Sequence, residues 1–199
     1  GTGGVNTFIT IDPGATVTFS NVNITNTDDY YGKDEDNEVP LPPIINCAGN
    51  ATIILTKGTT NTIIGGYYKM PCIQVGPTNT TLTIKGYGKL VLKSWGWGAC
   101  IGGAHQQACG NIVIEDGTYD LETTIGTNSG YAACIGSSGK GGSCGNITIS
   151  GGNIRAESSF GAAAIGSGND GDCGNITIAS TVTKVTAMKG ANAPFSIGW

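Results

Sequence analysis

The residues of this chain best suited to chemistry by type are its seven cysteines. Six of them occupy two repeated positions. Cys72, Cys100 and Cys134 each stand one residue before an isoleucine, and Cys109, Cys144 and Cys173 each stand three before one. If those isoleucines enter a core, period-two alternation sends both kinds of cysteine outward. They then flank a short loop on one repeat, and the expected disulfides are Cys100–Cys109 and Cys134–Cys144. Ala164 holds the first position of the next repeat, which leaves Cys173 a free thiol. Asn79 stands where a partner for Cys72 belongs, so Cys47–Cys72 is the third expected pair. Such closures stabilise by ~2–4 kcal/mol each and imply an oxidising compartment. The competing reading is a ladder of reduced cysteines packed as small hydrophobes. No CxxC occurs, so neither a metal nor a cofactor is expected.

Acid–base chemistry needs paired carboxylates or a positioned base. Asp120, Glu122 and Glu157 are candidates for adjacent positions on one face, and such pairs can hydrolyse glycosides. The single arginine, Arg155, has Tyr119 or Asp120 and nearby Val185 one repeat away, which makes no constellation. His105 lies in the glycine-flanked loop "GGAHQQA" with no serine or cysteine placed for a triad. Asn169, Asp170 and Asp172 offer oxygens to a hard cation, but in no repeating calcium pattern; hydrated turns are expected. No catalytic residue and no metal ligand is assigned, and the chain is read as a non-enzyme.

Aromatic side chains are the more suggestive group. Trp97 and Tyr131 both stand four residues before a repeated isoleucine, so they should stack on each other. Trp95, Tyr87, Tyr67 and Tyr68 fall in neighbouring repeats and are expected near the same corner. Planar rings with polar edges stack on sugar rings, which makes Trp95, Trp97, Tyr131 and Tyr87 the candidate ligand-binding residues. The alternative is local packing.

The elements that carry these residues come from an internal repeat. "CGNIVIEDG" (109–117), "CGNITISGG" (144–152) and "CGNITIAST" (173–181) repeat one phrase. Its last apolar residue gives the series Leu55, Ile84, Ile114, Ile149 and Ile178, in steps of 29, 30, 35 and 29 residues. A second series, Ile45, Ile73, Ile101, Ile135, Ile165 and Ile197, keeps the same irregular pace. Between them lie "KLVLK" (89–93), "TYDLE" (118–122), "NIRAE" (153–157) and "KVTAM" (184–188). Alternating β-branched residues favour strands, and glycine and asparagine mark the corners. Three short strands per coil of about 30 residues describe an all-β parallel β-helix, with like residues stacked ~4.8 Å apart. Ile112, Ile147 and Ile176 form one inward column, with Ile114, Ile149 and Ile178 beside it.

Ile11 to Leu55 spans 44 residues, and an acidic, proline-rich insertion at about 26–43 accounts for the excess. Otherwise residues 1–199 form a single domain. The stretch 28–38 holds six acids and one lysine, while the rest of the chain is nearly neutral. Nucleic acid requires a basic stripe, and none is present, so polyanionic partners are not expected. Charged residues are only 12% and hydrophobic ones 39%, which argues against disorder; no run is long enough for a membrane span. "FSIGW" ends on a strand phrase, and solenoids need caps, so a segment of a longer protein is expected.

The phrases "ITIDPGATVTFSNVNIT", "CAGNATIIL", "GACIGG…CGNIVI" and "AAIGSG…CGNITI" resemble bacterial surface proteins with glycine-rich parallel β-helix repeats, loosely described as carbohydrate-binding or cell-adhesion proteins. The resemblance covers nearly the whole chain outside 26–43 and carries no catalytic residues. With the usual crossover preference it implies a right-handed coil, and it implies a secreted or cell-surface location in bacteria. The expected function is adhesion or carbohydrate binding, with a glycan or a host or cell-surface protein as partner. A structural stalk or protein-binding adhesin is the alternative, and a polysaccharide lyase or hydrolase the third reading.

Overall fold

The computed structural model describes residues 7–26, 42–65, 69–95, 97–123 and 130–198. Every described element is a β-strand. The strands stack as a parallel β-solenoid of about 5 turns, with roughly 31 residues per turn and three strands per coil. Each coil contributes one strand to each of three walls. The first wall runs from Ile9–Ile11 through the short Ile73–Gln74, Ile101–Gly102, Ile135–Gly136 and Ile165–Gly166 to Ile197–Gly198. The second runs from Thr16–Phe19 to Ile176–Ile178, and the third from Asn23–Thr25 to Lys184–Met188.

The core is a set of columns. Ile112 pairs with Ile147 and Ile147 with Ile176. Ile73, Ile101, Ile135, Ile165 and Ile197 pair one above another on the first wall. Through the middle coils these isoleucines are fully buried, at ~1.5–3 kcal/mol each. In the last described coil Ile178 and Ile197 are 38% exposed, because no described coil lies above them.

Two expectations about register are corrected. Ile84 pairs with Ile53, not with Leu55, so the column is Ile53–Ile84–Ile114–Ile149–Ile178. Leu55 lies two residues further along, beside Phe19. A two-residue slip keeps the same face inward. Its cause is the corner that follows. A Cβ on Gly86 would sit 2.4 Å from the Leu55 carbonyl oxygen, and one on Gly88 2.5 Å from that of Thr56. Coil three therefore turns tightly over a wider coil two. Ile11, in turn, pairs with Cys47 on the first wall and is not the counterpart of Leu55. The insertion lies between Asn23–Thr25 and Ile45–Cys47; its residues 27–41, like Tyr67, Tyr68 and Trp199, fall outside the described residues.

The disulfide expectation is also corrected. All seven cysteines are buried free thiols. Cys134 and Ile135 both point inward, each 0% exposed, because the residue before the isoleucine lies in a bend where strand alternation does not apply. Cys144 likewise turns inward, in the short strand Ser143–Cys144 that is set off from Ile147 by a kink at Gly145. The expected pairs Cys100–Cys109, Cys134–Cys144 and Cys47–Cys72 are thus absent, and Cys173 is one free thiol among seven. Instead the cysteines stack between coils. Cys144 pairs in register with Cys173, and Cys144 Sγ donates to Gly110 O of the coil below at 3.6 Å. Their sulfurs serve the corner carbonyls: Cys72 Sγ donates to Gly65 O at 3.3 Å, Cys100 Sγ to Glu122 O at 3.2 Å and Cys134 Sγ to Glu157 O at 3.1 Å.

A polar ladder fixes the second wall. The Asn50 Oδ1 accepts the amide N–H of Thr81 at 2.8 Å, Asn111 Oδ1 that of Asn146 at 2.8 Å, and Asn146 Oδ1 that of Asn175 at 2.9 Å. Asn111 and Asn146 of the repeated "CGN" phrase, and Asn50 of "CAGN", thereby each take up a main-chain donor that the kinked corner leaves outside the sheet.

Candidate functional site: the crest over the first wall

The first wall is a vertex rather than a flat face. Ala99 N–H donates to Gly103 O at 3.4 Å, Ala133 N–H to Ser137 O at 3.1 Å and Ala163 N–H to Ser167 O at 3.1 Å. The chain therefore doubles back within five residues at each of three coils. Glycine is needed here: a Cβ on Gly136 (φ +133°) would lie 1.9 Å from the Gly166 carbonyl oxygen. The loops that enter and leave each vertex meet outside it and form a crest along the solenoid. Ser94 Oγ, Thr123 Oγ1 and Ser158 Oγ close the entering loops by donating to Gly98 O, Ala132 O and Ala162 O.

The crest carries an aromatic series. Trp97 and Tyr131 have ring centroids 4.5 Å apart at 54°, and Tyr131 and Phe160 5.2 Å apart at 80°. The expected stacking of Trp97 on Tyr131 is present. Trp97, however, is only 8% exposed, Tyr131 is half-buried, and Phe160 at the upper end is 40% exposed. His105 from the leaving loop packs edge-on against Trp97 at 4.7 Å, and Lys140 Nζ lies 4.8 Å from the Trp97 ring centroid. Trp95 is half-buried, and its carbonyl accepts the Trp97 N–H at 2.7 Å.

Tyr87 does not belong to this group. It sits on the turn between Thr81–Lys85 and Lys89–Lys93, at the corner of the second and third walls, and is 70% exposed. His105, Lys140 and Phe160 were missed as companions of Trp97. His105 and Lys140 approach from the far side of the vertex, and Phe160 stands five residues before its isoleucine instead of four. Gln106, Lys140 and Asp170 share a left-handed backbone (φ +60°, +54° and +55°), as does Phe160 (φ +47°). Such conformations cost about 1–3 kcal/mol in bulky residues, and here the stacked crest loops hold them.

Burial lowers the His105 pKa below the usual histidine range, and the charges of Lys69 and Lys140 lower it further; a hydrogen bond with the Gly139 backbone opposes them. The His105 Nδ1 is buried without a hydrogen-bond partner.

The other chemical candidates resolve differently. Arg155 lies between Asp120 and Thr186 in register, so Val185 is not its neighbour. It pairs with Asp120 at 2.9 Å and with Glu157, while Lys93 meets Glu122 at 3.0 Å and Lys89 meets Asp120 at 4.0 Å. The carboxylates do come together, but each faces a cation on an open wall. Asn169 Nδ2 donates to Asp170 Oδ2 at 2.8 Å. Among the described residues no three His, Cys, Asp or Glu side chains converge as a metal site, and no helix is long and apolar enough to cross a membrane.

A parallel β-solenoid with an aromatic and basic crest is the class of protein that fold and site define. No protein-family model matches the chain, and comparison with curated proteins and with solved structures found no match.

Proposed function

We propose that this chain is a non-catalytic β-solenoid of a secreted or cell-surface protein, acting in adhesion or carbohydrate binding, and that it meets its partner at the crest. The observation that supports this reading is the convergence of Trp97, Tyr131, Phe160, His105 and Lys140 from two loops of successive coils. The third wall supports a non-catalytic reading, since its carboxylates are matched by Arg155, Lys93 and Lys89. Burial of Trp97 changes how contact is made: the surface offered is Phe160, Tyr131 and Lys140, with Trp97 as the support beneath.

A purely structural stalk is the second reading, and the low exposure of Trp97 favours it. A glycan-array and cell-adhesion screen of the wild type beside Phe160→Ala and Lys140→Ala, with a cleavage assay on any hit, separates the two. Binding that both substitutions weaken, without cleavage, supports adhesion through the crest. Binding to no glycan and no cell surface supports the stalk, and cleavage of a bound polysaccharide overturns both.

A further inference from the structure

The fold treats its bases in two ways. On the third wall Lys89, Lys93 and Arg155 each face a carboxylate. On the crest Lys140 is exposed and, among the described residues, meets no carboxylate; its charge rests over the face of Trp97. Its backbone is held left-handed, with its N–H donated to Asn169 O at 2.7 Å, so the lysine is presented rather than left to wander. His105 donates its own backbone N–H to Lys69 O at 2.8 Å, and the charges of Lys69 and Lys140 both act on its ring. Lys140 and the His105 ring thus meet at the same indole, and one ammonium stands beside an imidazole whose Nδ1 has no partner. This placement of Lys140 could not be read from a nearly neutral chain body.

We infer that the crest receives the carboxylate of an acidic sugar within a polyuronate chain. The carboxylate lies on Lys140, and the apolar C–H faces of the sugar rings lie on Tyr131 and Phe160. The charge complementarity selects an anion. The rings beside it, 5.2 Å apart, select an anion that carries an apolar face in the same unit. A uronate has both; a glutamate side chain has only the first. The inference rests on the crest being the contact surface and adds the chemistry of what it contacts.

The chain has a single histidine, so the imidazole resonances belong to His105 without further assignment. The test is a titration of the whole chain with unesterified oligogalacturonate, its methyl ester and polyglutamate, in calcium-free buffer, followed by calorimetry and by the His105 resonances. The unesterified oligomer is expected to bind, to move the His105 titration midpoint upward, and to lose affinity as salt is raised. Lys140→Gln is expected to weaken binding about tenfold with an unchanged thermal midpoint, and Phe160→Ala to weaken it without changing its salt dependence. Equal binding of the methyl ester overturns the inference, as does binding that Lys140→Gln leaves unchanged or that leaves His105 unmoved. Polyglutamate bound as well as the sugar overturns it in favour of an acidic peptide. Failure of oligogalacturonate to bind also overturns it, while adhesion through the crest is judged separately by the cell-surface screen.

Discussion

Trp97 and Tyr131 stand one coil apart with their ring centroids 4.5 Å apart, and the lower ring is the buried one. Trp97 is therefore part of the crest's foundation. Trp97→Ala is expected to destabilise the fold by about 3–5 kcal/mol, read by denaturant unfolding. Phe160→Ala, at the exposed end of the same series, should cost well under half as much. Equal costs would falsify this division of roles.

The thiols supply a second expectation. Burial raises Cys47 and Cys72 from 9.0 to about 12, while the hydrogen bond from its neighbour Cys109 and then burial raise Cys144. A folded-state pKa above the unfolded one gives stability that is whole below pH 9. Above that the unfolded chain releases protons that the folded chain keeps. Stability should then fall by about 1.4 kcal/mol per pH unit for each such thiol, and for Cys47 and Cys72 the loss is complete at about pH 12. At neutral pH a thiol reagent should modify no cysteine quickly until denaturant is added, and the intact mass should be the same with and without reductant. Rapid native labelling, or a mass rise of two hydrogens per bridge on reduction, would contradict the buried ladders.

Glycine positions differ sharply in what they tolerate. Gly136→Ala forces a Cβ to within 1.9 Å of the Gly166 carbonyl oxygen at a φ of +133°. The two coils must part, and a loss of more than about 3 kcal/mol is expected. Gly14 has a φ of +81° but nothing within 4 Å of an added Cβ. Gly14→Ala should therefore cost only about 1 kcal/mol of backbone strain. Thermal unfolding of the two variants tests the contrast, which disappears if φ alone governs.

The cross-coil ion pairs should matter less than their number suggests. The Arg155, Asp120 and Glu157 side chains are all more than a third exposed. Arg155→Gln is expected to cost ~0.2–1 kcal/mol, and less in high salt. A loss above 2 kcal/mol that persists at 1 M salt would show that the wall depends on this arginine.

How much was legible from the sequence depends on where each residue sits. "TYDLE" and "NIRAE" are equal, blunt strands, so their partners could be aligned by counting, and Asp120 does lie under Arg155. The column isoleucines were legible for the same reason. Leu55 misled because register there depends on the size of a corner, which Gly86 and Gly88 set by contact with the coil below. The cysteines misled because alternation was carried through a bend. His105 and Lys140 could not be joined to Trp97 by any spacing rule, because the vertex that brings them together is a reversal of the chain and not a period. Tyr87 was placed wrongly for the opposite reason: nearness in sequence hid a change of corner.

The asparagine ladder has a consequence for length. Asn50, Asn111 and Asn146 each accept one amide from the coil immediately above, and Asn111 also donates to Thr80 O in the coil immediately below, so each contact spans a single coil step. Cutting the chain between two equivalent asparagines and rejoining it, or copying the stretch between them, leaves every internal acceptor matched. The number of coils is accordingly not specified by any long-range contact among these residues. Such a body can lengthen or shorten by whole turns while its crest keeps one pitch, and the reach of the molecule becomes a quantity that duplication alone can set.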